Sequence, residues 1–212
     1  MSVNSGNIFW LGHDSVRLEG SRVIYFDPWE VKGPPADIIL ITHDHYDHLD
    51  GPTVKALAKP QTQIVTEASS AARLRELGVE NSITVMEPGD EIEVLGVNVK
   101  AVPSYNIGKD FHPRAKNNLG FIVTVDGLSL YHAGDSDFIP EMKDIRAQVA
   151  LLPVSGTYVM TWDEAVEAAL AIKPDLVIPM HYGKIVGDLA MAEKFAAQLK
   201  GRVNVEIKPI SE

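Results

Sequence analysis

The feature that most constrains this 212-residue chain is a junction. Asp37-Ile38-Ile39-Leu40-Ile41 passes without a linker into Thr42-His43-Asp44-His45-Tyr46-Asp47-His48. An unbroken apolar run leaves no polar face, so it predicts a strand covered on both sides, as in the parallel sheets of α/β proteins. A fainter echo follows late in the chain, where Pro174-Asp175 opens an apolar run that ends at His181. Each run places a histidine where a buried strand emerges, a pattern that many α/β strands share.

The rest of the chain supports an α/β reading. Residues 7–13, 15–19 and 22–27 are rich in β-formers and are separated by turn-prone residues, so they predict an antiparallel meander. A helix over 52–58, a strand over 63–66 and a helix over 69–77 with Gly78 as its stop come next. Strands follow over 83–85, 91–94 and 97–102, then over 121–125 and 128–131 on either side of Asp126-Gly127, a strong hairpin signal. The last third alternates: helix near 140–145, strand 149–153, helix 162–171, strand 176–180, helix 189–199, strand 204–208. Thr161-Trp162-Asp163-Glu164 has the form of a capping box. No linker or low-complexity tract divides the sequence, which predicts one domain over residues 1–212.

The chemistry sits in the junction. The pattern His-x-His-x-Asp-His puts three histidines and Asp47 within six residues of a chain that has seven histidines in all. A surface histidine cluster is the plain alternative, but this one follows directly on a buried strand. The chain has no cysteine, so disulfides, thiolate ligands and cysteine nucleophiles are excluded. Imidazole and carboxylate together suit zinc, with manganese, iron or nickel as alternatives, better than calcium or magnesium. If the strand stays extended through its end, residues 43, 45 and 47 share one side and His48 turns elsewhere. Four donors so close crowd a single ion, so two metals about 3.5–4 Å apart are expected. The net charge of −10 argues against a nucleic-acid partner. No apolar stretch approaches membrane-spanning length and no signal peptide is evident, which predicts a soluble cytoplasmic protein without a membrane partner.

The motif resembles the metal-binding signature of the metallo-β-lactamase fold superfamily, and further pieces follow in that superfamily's order. They are Tyr25-Phe26-Asp27-Pro28, Ala133-Gly134-Asp135-Ser136 and Pro179-Met180-His181-Tyr182-Gly183. With Trp10-Leu11-Gly12-His13, they are most similar to the branch that contains ascorbate-6-phosphate lactonase-like proteins. The resemblance implies a four-layer αβ/βα sandwich with metals at one edge. It implies His43 and His45 on a first metal, Asp47, His48 and His181 on a second, and Asp135 bridging. The first metal then needs one more histidine, His112 or His132. His132 stands three residues from Asp135 and so points to the opposite face of a regular strand. His112 enters the hairpin from the end where Asp135 lies and is preferred, although the common pattern has that histidine sooner, where Tyr105-Asn106 stands. His132 is then expected to support the site without touching metal. Asp27 is expected to orient a ligand or the motif backbone, and His13 to orient substrate or shuttle a proton.

Two metals sharing a water would supply hydroxide near neutral pH, with Asp47 able to accept its hydrogen bond. The expected activity is hydrolysis of an ester, lactone, phosphoester or amide bond in a small molecule. Tyr105, Tyr158, Tyr182 and Lys116 are the candidate substrate contacts. A mononuclear-iron oxidoreductase and a non-catalytic metal-binding module are the competing readings, and a homo-oligomer is compatible with either. No Gly-x-Ser-x-Gly elbow, phosphate loop or dinucleotide fingerprint competes with the metal reading.

Overall fold

The computed structural model describes residues 4–211. The first sheet contains β1 (Ile8–Gly12), β2 (Ser15–Glu19), β3 (Val23–Phe26), β4 (Ala36–Ile41), β5 (Ala58–Thr66) and β6 (Ser82–Val85), in that order. Its first three strands are the expected antiparallel meander, and β3 to β6 are parallel. Parallel neighbours need crossovers, supplied here by α1 (Gly51–Leu57) and α2 (Ala68–Glu76). The second sheet repeats the plan. An antiparallel stretch of β7 (Glu91–Val94), β8 (Val97–Pro103), β9 (Leu119–Val125) and β10 (Leu128–His132) leads into parallel β11 (Val149–Pro153), β12 (Leu176–Met180) and β13 (Asn204–Val205). Helices α3 (Trp162–Ile172) and α4 (Leu189–Leu199) connect its parallel strands.

Strand alternation builds the layers. Ile8, Trp10, Ile24, Phe26, Ile38 and Leu40 pack with Val99, Phe121, Val123 and Leu130 of the second sheet. Their neighbours Leu11, Tyr25, Ile39 and Ile41 point the other way and join Val54, Leu57 and Leu74 of α1 and α2. A period of two thus feeds one core between the sheets and another under the first helices. Ala165, Ala168 and Ala169 of α3 and Ala192 and Phe195 of α4 cover the second sheet. The result is the four-layer αβ/βα sandwich. The Thr161–Glu164 capping box forms with both of its hydrogen bonds. Among the described residues, no helix is long and apolar enough to cross a membrane.

Strand β13 stops at Val205, three residues short of the expected 208, and three further elements differ from expectation. Strand β5 begins at Ala58, five residues early, because Ala58 bridges to Ala36 across a register shift. Residues Pro140–Asp144 form a short 3₁₀ turn rather than an α-helix. The third difference matters most, because β4 does not stay extended into the histidine motif. The Thr42 amide donates to the Asp27 side chain (2.7 Å) instead of to a neighbouring strand, and the chain then turns so that His48 and Leu49 both donate to the His45 carbonyl. Side chains from 43 to 48 therefore converge by turning, not by alternation.

Candidate metal centre

Several strand ends meet at one edge of the sandwich, and the backbone there is bent hard. His13, Asp27 and His181 all have left-handed φ, at 53°, 42° and 59°. That conformation is unfavourable for residues with a Cβ, and a cluster of such residues marks a place where side chains are aimed at a cost. The bends are tied together: the His181 amide donates to the His13 carbonyl, and so does the Trp10 indole. Gly134 has φ 60° where β10 leaves its sheet. A Cβ there would lie 3.0 Å from the Leu119 carbonyl oxygen and 3.1 Å from Thr42.

Asp27 organises the histidine motif from beneath. One carboxylate oxygen accepts from the Thr42 amide, and the other accepts from the Thr42 hydroxyl (2.7 Å) and from His48 Nδ1 (2.8 Å). A carboxylate only accepts, so His48 keeps a proton on Nδ1 and Nε2 is the nitrogen that can be freed for a metal. The Thr42 hydrogen is committed to Asp27, so its oxygen accepts from His43 Nδ1 at 3.0 Å, which leaves His43 Nε2 bare. His112 Nδ1 faces two acceptors, the Asn106 side-chain oxygen (2.9 Å) and the Tyr158 carbonyl (3.2 Å). Ser155 Oγ lies 2.8 Å from His181 Nδ1. Each ring is therefore held at its back, and an outward-facing nitrogen meets the same small space.

Two groups of donors result. His43, His45 and His112 offer one nitrogen each within 4.8 Å of one another, as do His13, Asp14, His48 and His181 with one donor atom apiece. Between them stands Asp135. Its Oδ1 is 3.3 Å from His48 Nε2 and 3.4 Å from His181 Nε2, and its Oδ2 is 3.4 Å from His112 Nε2. Asp47 Oδ2 accepts from His13 Nε2 at 3.1 Å and lies 4.0 Å from His48 Nε2. The donor set fits a transition metal. Nε2 of His43, His48 and His181 and Oδ1 of Asp135 are buried without a hydrogen-bond partner and converge on one space, the arrangement that ligands to an ion require. Nitrogen and carboxylate donors without sulfur suit zinc, manganese or iron.

The electrostatics reflect the same crowding. Burial pulls the His43 imidazole well below its usual range, helped most by the neighbouring His48, and burial also lowers His112. Burial opposes charge on His48, but the Asp135 and Asp27 carboxylates outweigh it and push His48 well above the usual range. His181 behaves likewise and is pushed up to about 9 by Asp135 and Asp14. Burial likewise works against Asp135, which His181 and His48 nonetheless hold well below the usual carboxylate range.

His132 is placed differently. Its Nδ1 accepts from the Gly134 amide and its Nε2 lies 2.9 Å from the Asp14 carbonyl oxygen, so both nitrogens are spent on backbone, with the ring stacked on Phe26. The structure brings His112, not His132, to His43 and His45. A cavity of about 430 Å³ opens over the donors, lined by Asp44, His45, Tyr46, Asp47, Phe111, His112, Asp135, Tyr158 and Ile185. Of the four candidate substrate contacts, Tyr158 lines this cavity and three do not. Tyr105 is buried and bonds Glu141. Tyr182 stacks on Trp10 at 4.7 Å, because the left-handed turn at His181 swings the next side chain into the core. Lys116 stands exposed on the 3₁₀ turn Arg114–Lys116, outside the fold-back that seats His112.

Sequence reasoning missed Asp14, Thr42, Asn106 and Ser155. Thr42, at the junction itself, had a readable signal: a hydroxyl beside a ligand histidine at a strand end.

The comparisons agree on the fold. A model described as the β-lactamase superfamily domain matches residues 7–181. The chain is 34% identical over 213 aligned residues to a UPF0173 metal-dependent hydrolase of Thermoplasma acidophilum, covering 94% of this chain and 93% of that protein. A crystal structure from Parabacteroides distasonis, described as a metal-dependent hydrolase, is 34% identical with a TM-score of 0.85, covering 96% of this chain and 93% of that one. The metallo hydrolase Igni18 of Ignicoccus hospitalis shares the fold alone, at 23% identity and a TM-score of 0.78, over 97% of this chain and 95% of its own.

Proposed function

The chain belongs to the β-lactamase superfamily, and from that premise we propose that it is a hydrolase working with two divalent transition metals. His43, His45 and His112 would hold the first and Asp47, His48 and His181 the second, with Asp135 shared. The observation that carries this reading is the set of buried, unpartnered Nε2 atoms on His43, His48 and His181, each ring anchored at its other nitrogen. When bound, such a pair supplies an activated water near neutral pH and stabilises developing negative charge.

The chain's own residues do the rest. Asp135 spans both donor groups and sets their separation. Asp47, partly exposed in the cavity lining and held by His13, can accept a hydrogen bond from an attacking water and orient it. Tyr46, Phe111, Tyr158 and Ile185 give the cavity an apolar wall, and no lysine or arginine lines it. Nearby cations are already engaged: Lys109 with Asp137, Arg114 with Glu141 and Lys184 with Glu30. Two metals would bind a phosphoryl oxygen as readily as a carbonyl, so the lining discriminates only through the rest of the substrate. With an apolar wall and no free cation, it favours an uncharged ester, lactone or amide over a charged phosphoester.

The test is metal analysis of the purified protein, followed by hydrolysis assays on an uncharged aryl ester, a γ-lactone and bis-p-nitrophenyl phosphate with zinc or manganese. We expect carbonyl cleavage that is lost on chelation and in His45→Ala. Bound iron with dioxygen consumption and no hydrolysis of any substrate would instead establish the oxidoreductase reading.

A further inference from the structure

One strongly polar side chain at this edge has no role in the two-metal assignment. Asp14 lies in the β1–β2 turn, fully buried, and neither of its carboxylate oxygens has a hydrogen-bond partner. A turn aspartate ordinarily accepts from a nearby backbone amide. Asp14 does not, and although the imidazoles of His181, His13 and His48 lie nearby, burial outweighs their attraction, so the carboxylate is only partly balanced within the chain.

We propose that Asp14 is an additional ligand to the second metal. The inference rests on the two-metal reading and adds to it a residue that reading leaves out. Asp14 Oδ2 lies 3.5 Å from His13 Nε2, 3.7 Å from His181 Nε2 and 3.9 Å from His48 Nε2. These separations are too long for good hydrogen bonds. They are close to the spacing of donors around one ion, which is roughly 3.4 Å for tetrahedral bonds of about 2.1 Å. Asp135 Oδ1 stands at 3.3 and 3.4 Å from the same two nitrogens of His48 and His181. Two carboxylates thus flank one pair of imidazoles. His13 is separated from this role by its proton, because its Nε2 is within hydrogen-bond distance of Asp47 Oδ2. It positions Asp47, and Asp14 takes the place beside it.

The second site then carries three carboxylates, Asp14, Asp47 and Asp135, with two imidazoles, whereas the first carries three imidazoles and a share of Asp135. Oxygen-rich donor sets favour manganese or ferrous iron more than imidazole-rich ones do. The two sites would therefore differ in metal preference.

The experiment titrates metal-free protein with Co²⁺ against a competing chelator, following the visible absorption of each step, for wild type, Asp14→Asn and Asp14→Ser. Wild type should take up two equivalents. Both variants should keep the first step and lose at least about tenfold in affinity for the second, with a changed second-step spectrum. Second-step affinities within about threefold of wild type, with an unchanged spectrum, would overturn the assignment. Metal-free Asp14→Asn should melt no lower than wild type, since it removes a buried charge whose burial outweighs the attraction of the imidazoles around it. A clearly lower melting point in both variants would show a structural role and count against the proposal. Saturation of wild type at one equivalent would instead remove the two-metal reading itself.

Discussion

Replacing Asp27 with asparagine isolates one atom's worth of chemistry. Asparagine tolerates the left-handed conformation that Asp27 adopts, with φ 42°, so backbone strain is unchanged. Alanine would add strain and a void. The carboxylate accepts from the Thr42 amide, the Thr42 hydroxyl and His48 Nδ1 at 2.7, 2.7 and 2.8 Å. If the amide oxygen of asparagine keeps the Thr42 amide, its NH₂ group faces the other two. His48 Nδ1 must then become an acceptor, which moves its proton to Nε2. The Thr42 hydroxyl must also accept, which turns its own hydrogen toward His43 Nδ1, 3.0 Å away, and moves that proton too. Two ligand nitrogens are blocked by one isosteric change. Restoring each lone pair leaves a buried donor facing a donor, at about 1–3 kcal/mol apiece, or roughly 10- to 100-fold in affinity. Because the two rings share Thr42 and Asp27, the effects need not add, so the expected loss in metal affinity runs from about 10-fold, where one rearrangement relieves both rings, to about 10⁴ where they add fully. Exchanging charge-assisted for neutral hydrogen bonds should also cost the metal-free fold about 2–3 kcal/mol. Chelator-competition titration and urea unfolding read the two effects separately. If Asp27→Asn binds metal within about threefold of wild type, the tautomer argument fails.

Two further outcomes follow from the same edge. His181 has its pKa pushed up to about 9, above its unfolded value of about 6.5; metal must displace its proton, so Co²⁺ affinity should rise with pH toward 9 and then level off. The same shift stabilises the metal-free fold below pH 6.5 and is lost as pH rises toward 9, so its urea midpoint should fall across that range; a flat profile in both measurements would contradict the coupling. Gly134→Ala should lower stability by about 1–3 kcal/mol through its left-handed φ and the contacts at 3.0–3.1 Å to Leu119 and Thr42. A thermal melt indistinguishable from wild type would show that the β10 exit has room to spare.

The fold was legible where periodicity is strong and local. The apolar run of β4 and the Asp126-Gly127 hairpin carry their structure in a few adjacent residues. His43 to His48 were legible as a metal motif for the same reason, even though the chain turns there and does not alternate. His112 could be preferred over His132 because hairpin geometry fixes which end of a strand lies where. The meander puts the His13–Ser15 turn at the same edge as Asp27, but Asp14 still reads as an ordinary turn residue until β12 is known to end against that turn, with the His181 amide on the His13 carbonyl. Lys116 and Tyr182 mislead in the opposite sense. Both share a segment with a residue at the centre, yet fold-back of one loop and a left-handed bend in the other send them elsewhere. Proximity in sequence to a ligand says little about direction.

The donors come from both halves of the sandwich. Asp14, His43, His45, Asp47 and His48 extend from the first sheet, while His112, Asp135 and His181 extend from the second. Metal ions seated among them would act as rivets through the seam between two structurally similar halves, and the halves could not part without breaking coordination. Ligands that bind only the joined form stabilise it by mass action. Depletion of metal in a cell would then loosen the seam as well as silence the site, and the unfolding rate would report metal supply as directly as turnover does.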